Sequence, residues 1–192
     1  MTELESTYVI DDLLLEEGLT ADFNKLVIDK ISKHHGWYLS IDDILENNQL
    51  DSKYSDTGML LESFYNQTVK RVDHSEINEI ANLILEYVLT KAPIQFHNPK
   101  LVRFLWNYYG RSSCGVEHRD ISQQIKGNFC SIVYHLNTCD GETQVEDKNY
   151  PSKSGQCIIF NSKKLHRGTG PKLDRKRFCL NIVINYDTLK LI

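Results

Sequence analysis

Three residues carry chemistry that their types and spacing make specific. His118 and Asp120 are separated by a single residue, and His166 follows 48 positions after His118. Two imidazoles and one carboxylate form a facial donor set that holds Fe(II) and leaves coordination positions open for a co-substrate and dioxygen. A zinc hydrolase uses comparable donors, but no glutamate stands at a zincin spacing to act as its base. On a β-strand, residues i and i+2 share a face, so His118 and Asp120 are expected to look into one cavity while Arg119 turns away. His166 must then arrive from a neighbouring strand end.

The text around these residues adds further motifs, in this order: Tyr108-Tyr109-Gly110, His118-Arg119-Asp120, Tyr134-His135-Leu136-Asn137, Gly141-Glu142-Thr143, Gly155-Gln156-Cys157-Ile158-Ile159-Phe160, His166-Arg167-Gly168 and Arg177-Phe178-Cys179. In that order and spacing the chain resembles the Fe(II)/2-oxoglutarate dioxygenases, in their prolyl-hydroxylase-like branch. The resemblance is detailed over the C-terminal half and holds in outline over the N-terminal half. It implies a distorted double-stranded β-helix (a jelly roll) with the metal triad near one mouth. It also implies a reaction that decarboxylates 2-oxoglutarate to succinate and carbon dioxide while hydroxylating a C–H bond, with ascorbate as an optional addition.

Residue by residue, the resemblance places the cation for the distal carboxylate of 2-oxoglutarate ten or eleven positions after the second metal histidine. Arg177 fits that place, with Cys179 as its small strand neighbour, and Lys176 is the runner-up. An arginine suits the task because its planar fork can hold both carboxylate oxygens. Tyr108, ten residues before His118, stands where the family carries a pocket tyrosine. His135 stands where many relatives place a tyrosine on the co-substrate, a departure that introduces a group able to titrate near neutral pH. Thr143 is expected to face the same pocket, and Trp106 and Phe160 the core. No catalytic group beyond the metal ligands is expected. The substrate implied is a peptidyl, prolyl-type side chain or a small amino-acid-like molecule. The alternative reading is a non-catalytic jelly-roll module for binding or assembly.

Composition bounds these readings. A chain of 192 residues with 41% hydrophobic and 25% charged residues is expected to form one soluble, intracellular (cytoplasmic) domain, residues 1–192. No apolar run approaches the ~18 residues of a membrane span, and the acidic start does not read as a targeting segment. Five cysteines without a framework spacing read as reduced thiols. Residues 100–192 carry 15 Lys and Arg against 8 Asp and Glu, whereas residues 1–99 carry 7 against 18. The basic half suits a dicarboxylate co-substrate, and it lacks the aromatic-interleaved basic stripe of a nucleic-acid surface.

The positioning elements follow from periodicity. Tyr8-Val9-Ile10 reads as a strand. Phe23, Leu26, Val27 and Ile31 share one face of a first helix, with His34 and His35 at its C-terminal end. Trp37 to Ser40 reads as a strand, residues 42–58 as a surface loop, and Ile77, Ile80, Ala81, Ile84 and Val88 as a second helix capped by Ser75 and stopped before Pro93. After residue 100 the texture shifts to short β runs over 101–109, 115–120, 129–136, 142–145, 156–160 and 177–186. The expected class is therefore α+β, mainly β. Residues 1–100 would form a helical support layer packed on the major sheet, and 101–192 a jelly-roll core. Residues 111–115 and 145–154 are expected as loops over the mouth.

Overall fold

A computed structural model describes residues 3–11, 19–32, 37–38, 57–64, 75–174 and 176–192. His34, His35, Arg175 and residues 42–56 lie outside the described residues. Among the described residues the architecture is mainly β, with two helices. Seven strands form the larger sheet: β1 (Tyr8–Ile10), β2 (Trp37–Tyr38), β3 (Thr57–Phe64), β5 (Lys100–Gly110), β6 (Asn128–His135), β9 (Cys157–Asn161) and β11 (Lys176–Tyr186), in the order β1-β9-β6-β11-β5-β3-β2. A second sheet has three strands, β7 (Glu142–Val145), β8 (Lys148–Pro151) and β10 (His166–Gly168), in the order β10-β7-β8. A separate ribbon pairs β4 (Ile94–His97) with β12 (Thr188–Leu191). The helices are α1 (Leu19–Ser32) and α2 (Ser75–Lys91).

Strand β11 is the middle of the molecule, and its sequence shows why. It pairs antiparallel with β5 on one edge and β6 on the other. Its alternate residues Phe178, Leu180, Ile182, Ile184 and Tyr186 join one hydrophobic cluster with Val27 and Ile31 of α1 and Ala81, Ile84 and Val88 of α2. Each such aliphatic or aromatic side chain, fully buried, contributes about 1.5–3 kcal/mol. The other face of β11 carries Arg177, Cys179 and Asn181, and these line a pocket between the two sheets. One strand thus sets the core with one parity and the site with the other.

The N-terminal half is less helical than its apolar stripes suggest. Strands β1, β2 and β3 come from it and complete both edges of the larger sheet, so residues 1–100 are not a purely helical layer. Residues 148–151 are also corrected, since they form β8 paired to β7 and not a loop. The β7–β8 connection is only two residues long, with Glu146 at φ 52°. Among the described residues no helix is long and apolar enough to cross a membrane. All five cysteines are free thiols, four of them buried.

Candidate metal centre

The segment carrying His118 is not the strand expected over 115–120. It makes only isolated antiparallel bridges, Cys114 to Thr169 and His118 to His166. That second bridge places the two histidines directly opposite each other. His118 N donates to His166 O, and His166 N donates to His118 O, both at 2.9 Å. The ring centroids are consequently 4.4 Å apart. Asp120 lies two residues beyond the bridge, past any strand pairing, and one donor atom from each of the three residues lies within 4.8 Å of the others. The i, i+2 spacing thus brings the ligands together, but through a bridge and a turn.

The hydrogen bonds of the rings decide whether a metal fits. His118 Nδ1 lies 2.9 Å from Val116 O, and His166 Nδ1 3.1 Å from Lys164 O. A carbonyl oxygen only accepts, so each Nδ1 carries the proton, and in the neutral ring each Nε2 keeps its lone pair. Those two nitrogens point at a carboxylate: His118 Nε2 is 3.7 Å from Asp120 Oδ1, and His166 Nε2 is 3.4 Å from Oδ2. His166 Nε2 is buried without a hydrogen-bond partner. Three acceptors converging with no proton between them form a set that a cation completes. Orientation of each histidine by a backbone carbonyl is the usual outer support of a metal ligand. The His118 side chain is 41% exposed while that of Asp120 is fully buried, so the opening lies on the His118 side.

Asp120 is held from three strands of the larger sheet. Arg103 of β5 forms an ion pair with Oδ1, and Ser131 of β6 donates to Oδ2 at 2.5 Å. Asn181 of β11 donates Nδ2 toward both oxygens at 3.3 and 3.4 Å. Burial pulls this carboxyl upward, but the Arg103 guanidinium outweighs it and holds it well below the usual carboxylate range. None of the three supporting residues stands out by motif. The signal that finds them is strand parity: 103, 105, 107 and 109 share the inner face of β5.

Arg177 marks the other end of the pocket. It is fully buried, and its Nη1 donates to Thr169 O at 3.2 Å and its Nη2 to Thr143 Oγ1 at 2.5 Å. Its Nε has no partner. Its guanidinium carbon sits 5.0 Å from the centre of the Tyr109 ring. Among the described residues no carboxylate pairs with it. The space it occupies exists because two neighbours lack side chains. A Cβ on Gly168 would fall on the Tyr109 hydroxyl and 2.9 Å from Arg177 Nη1, and one on Gly141 would lie 3.0 Å from Arg177 Cδ. Between Arg177 and the triad lies a small pocket of about 30 Å³, walled by Leu105, Asn107, Tyr109, Val133, Thr143 and Cys179.

Three sequence expectations change here. Tyr108 does not face the pocket; it packs with the helix-side core, its ring 5.3 Å from that of Phe178. Tyr109 faces the pocket instead, because β5 runs unbroken to Gly110 and puts odd-numbered residues inward. Burial pushes the Tyr109 phenol up, so it remains a neutral hydroxyl. Lys176 is exposed at the start of β11, on the opposite parity from Arg177, and cannot share its place. His135 does lie inward, fully buried, with Nε2 3.3 Å from both Arg177 Nη2 and Thr143 Oγ1. Burial first, and Arg177 second, depress its pKa well below the ordinary 6.5. His135 is therefore a neutral acceptor for the guanidinium and not a titrating switch.

The segment 111–115 is likewise no free lid. Ser112 N donates to Pro171 O at 2.7 Å and Gly170 N to Ser113 O at 2.8 Å, which pins it to the chain leading into β11. Trp106 and Phe160 are buried, as expected for core residues.

No family model and no curated protein matches this sequence. Solved structures do share its fold. The viral collagen prolyl hydroxylase of Paramecium Bursaria Chlorella virus-1, in its 2OG complex, superposes with a TM-score of 0.55 at 14% identity, covering 94% of this chain and 96% of that one. A Pseudomonas putida prolyl-4-hydroxylase gives 0.54 at 9% identity over 95% and 92%. The carbocyclase SnoK of nogalamycin biosynthesis, described as non-heme and alpha ketoglutarate dependent, gives 0.61 at 10% identity over 96% and 81%. The chain therefore has the fold of the 2-oxoglutarate-dependent non-heme dioxygenases, prolyl hydroxylases among them.

Proposed function

We propose that this chain is an Fe(II)- and 2-oxoglutarate-dependent dioxygenase that hydroxylates a peptidyl, prolyl-type side chain or a small amino-acid-like substrate. The observation that carries the reading is the pairing of two incomplete sites in one pocket: a converging His-Asp-His donor set and, beyond Tyr109, a buried arginine with no carboxylate partner among the described residues. A dicarboxylate keto acid answers both, one end toward a metal and the other toward Arg177. Membership of the fold shared with prolyl hydroxylases makes that pairing chemically coherent.

In this reading His118, Asp120 and His166 hold the metal, and His118 stands at the opening from which a substrate approaches. Iron with 2-oxoglutarate supplies the electrons that activate dioxygen, releasing succinate and carbon dioxide. The protein's part is to bind, orient and shield. Arg177 fixes the distal carboxylate, and Thr143, already bonded to Arg177 Nη2, adds a hydroxyl beside it. The Tyr109 hydroxyl and Asn107 give the pocket further hydrogen-bonding groups, while Leu105 and Val133 keep its walls dry.

The test is calorimetric titration of 2-oxoglutarate under nitrogen, with and without Fe(II), then a screen of prolyl peptides and free amino acids for succinate release in air. Metal-dependent binding with substrate-stimulated succinate supports the dioxygenase. Binding of neither ligand would sink the reading. Binding of both with no succinate under any substrate would favour a non-catalytic jelly-roll module instead.

A further inference from the structure

Arg103 has a role that the donor set alone does not require. It stands on the inner face of β5, its side chain 17% exposed, and its guanidinium is an ion-pair partner of Asp120, whose side chain has no exposure. Asp120 is already oriented without it. Ser131 donates to Oδ2 at 2.5 Å, and Asn181 donates toward both oxygens from the central strand. Those two donors are neutral. The positive charge comes from Arg103 alone among the described residues bonded to this carboxylate, the two histidines being drawn as metal ligands.

A buried carboxylate without a counter-charge is strongly unfavourable, and removing one partner of a buried pair exposes that cost. Arg103 therefore lets the protein fold around Asp120 when no metal is bound. A dication arriving at His118, Asp120 and His166 must share Asp120 with a permanent cation. The two positive charges then repel across one carboxylate, which weakens the metal relative to a site lacking the arginine. The opposing expectation is that Arg103 merely orients Asp120, in which case its loss would weaken the metal about 10- to 100-fold, as for other outer supports. Orientation is duplicated by Ser131 and Asn181, whereas charge is not, so the charge effect should set the sign.

We propose that Arg103 is a positioning residue that serves as a stand-in cation: it compensates Asp120 in the metal-free protein and holds the metal affinity of the site down, keeping the ion exchangeable. This rests on the triad being a metal site, so the experiment separates the two claims. Mn(II), which binds without redox chemistry, is titrated calorimetrically into wild type, Arg103→Met, Arg103→Lys and His166→Ala, and melting temperatures are measured with and without Mn(II). Arg103→Met should bind Mn(II) about tenfold or more tighter than wild type. Its metal-free melting temperature should fall and be largely restored by Mn(II). Arg103→Lys, which keeps the charge, should behave like wild type on both readouts. If Arg103→Met fails to fold, Arg103→Gln, with a neutral donor to Asp120, should show the same sign. Equal or weaker Mn(II) binding in the neutral variants would overturn the proposal. Unchanged Mn(II) binding in His166→Ala would instead remove the metal site on which it rests.

Discussion

Two arginines sit on the inner face of the same sheet, and their surroundings are opposites. Arg103 is met by a carboxylate, Asp120, with further neutral donors around that acid. Arg177 is more deeply buried, yet among the described residues it is met by Thr169 O, the Thr143 hydroxyl, the lone pair of His135 and the face of Tyr109, and by no carboxylate. Burying a guanidinium is costly unless it is paired. The first arginine has its compensation built into the chain. The second is compensated only in part, by dipoles and a π-face, and its remaining charge faces an open pocket. A buried cation with an internal anion belongs to the architecture, while one without marks where an external anion would bind. The comparison separates the two roles without reference to any relative.

The sharpest way to break the comparison is to remove the charge of Arg177. Arg177→Met keeps much of the stem and should weaken 2-oxoglutarate binding on the order of a hundredfold, since a charge-assisted bidentate contact is lost. Its melting temperature without ligand should rise, because an incompletely compensated buried charge is gone. Arg103→Met is expected to do the reverse to metal-free stability. Calorimetry and thermal melts on the two variants side by side would show it. Parallel destabilisation by both would mean that the two arginines are not different in kind.

Next in size is the space around Arg177. Gly168→Ala places a methyl against Tyr109 and 2.9 Å from Arg177 Nη1, with backbone fixed on both sides by β7 and the His118 segment. Overpacking of this sort costs about 1–3 kcal/mol. Urea unfolding should report that loss, and the displaced guanidinium should bind 2-oxoglutarate more weakly. An unaltered affinity would mean that Arg177 moves freely and is not preset by its cradle.

What the sequence disclosed of this arrangement depended on which signals are local. The parity of β11 is written into Arg177-Phe178-Cys179-Leu180-Asn181-Ile182, so the face shared by Arg177, Cys179 and Asn181 was legible. The helices were legible too, because Val27 and Ile31, and Ile84 and Val88, repeat at helical spacing and end in the core. The edge strand β2 was legible in Trp37-Tyr38, whereas β3 lacked such a signal and takes its place through its pairing with β5. The β7–β8 hairpin was obscured by the polar run Glu146-Asp147-Lys148-Asn149, whose turn forms at a non-glycine residue with positive φ. Arg103 and Ser131 carry no motif, and strand parity takes them only as far as an inner face, because their link to Asp120 exists only after three strands are in register.

The misplacement of Tyr108 has the same origin and yields a smaller prediction. Counting ten residues back from His118 assumes a fixed path between strand and ligand, but the intervening 111–115 turn adds its own geometry, with Ser112 at φ 58°. The pocket hydroxyl is that of Tyr109. Tyr109→Phe should lower 2-oxoglutarate affinity by about 1 kcal/mol, the usual worth of one hydrogen bond. Tyr108→Phe should leave it unchanged. Equal effects in a binding titration would place both rings in the pocket and undo the assigned parity of β5.

The last and smallest effect is a pH dependence contributed by His135, and its sign follows from burial. Its pKa is depressed in the folded protein, first by desolvation and then by Arg177, whereas in the unfolded chain it lies near 6.5. Below pH 6.5 the unfolded chain therefore takes up a proton that the folded one refuses. Stability from the neutral ring is fully present above that pH and is lost as pH falls from it toward the depressed value. His135→Gln keeps an acceptor for Arg177 without a titrating group, so urea unfolding of the metal-free variant should lack this component while sharing every other slope with wild type. The same neutrality means that 2-oxoglutarate affinity, measured at saturating metal, does not climb as pH drops from 7.5 to 6. An increase abolished by His135→Gln would show that the ring takes a proton beside Arg177, and that Arg177 is better compensated than its contacts indicate.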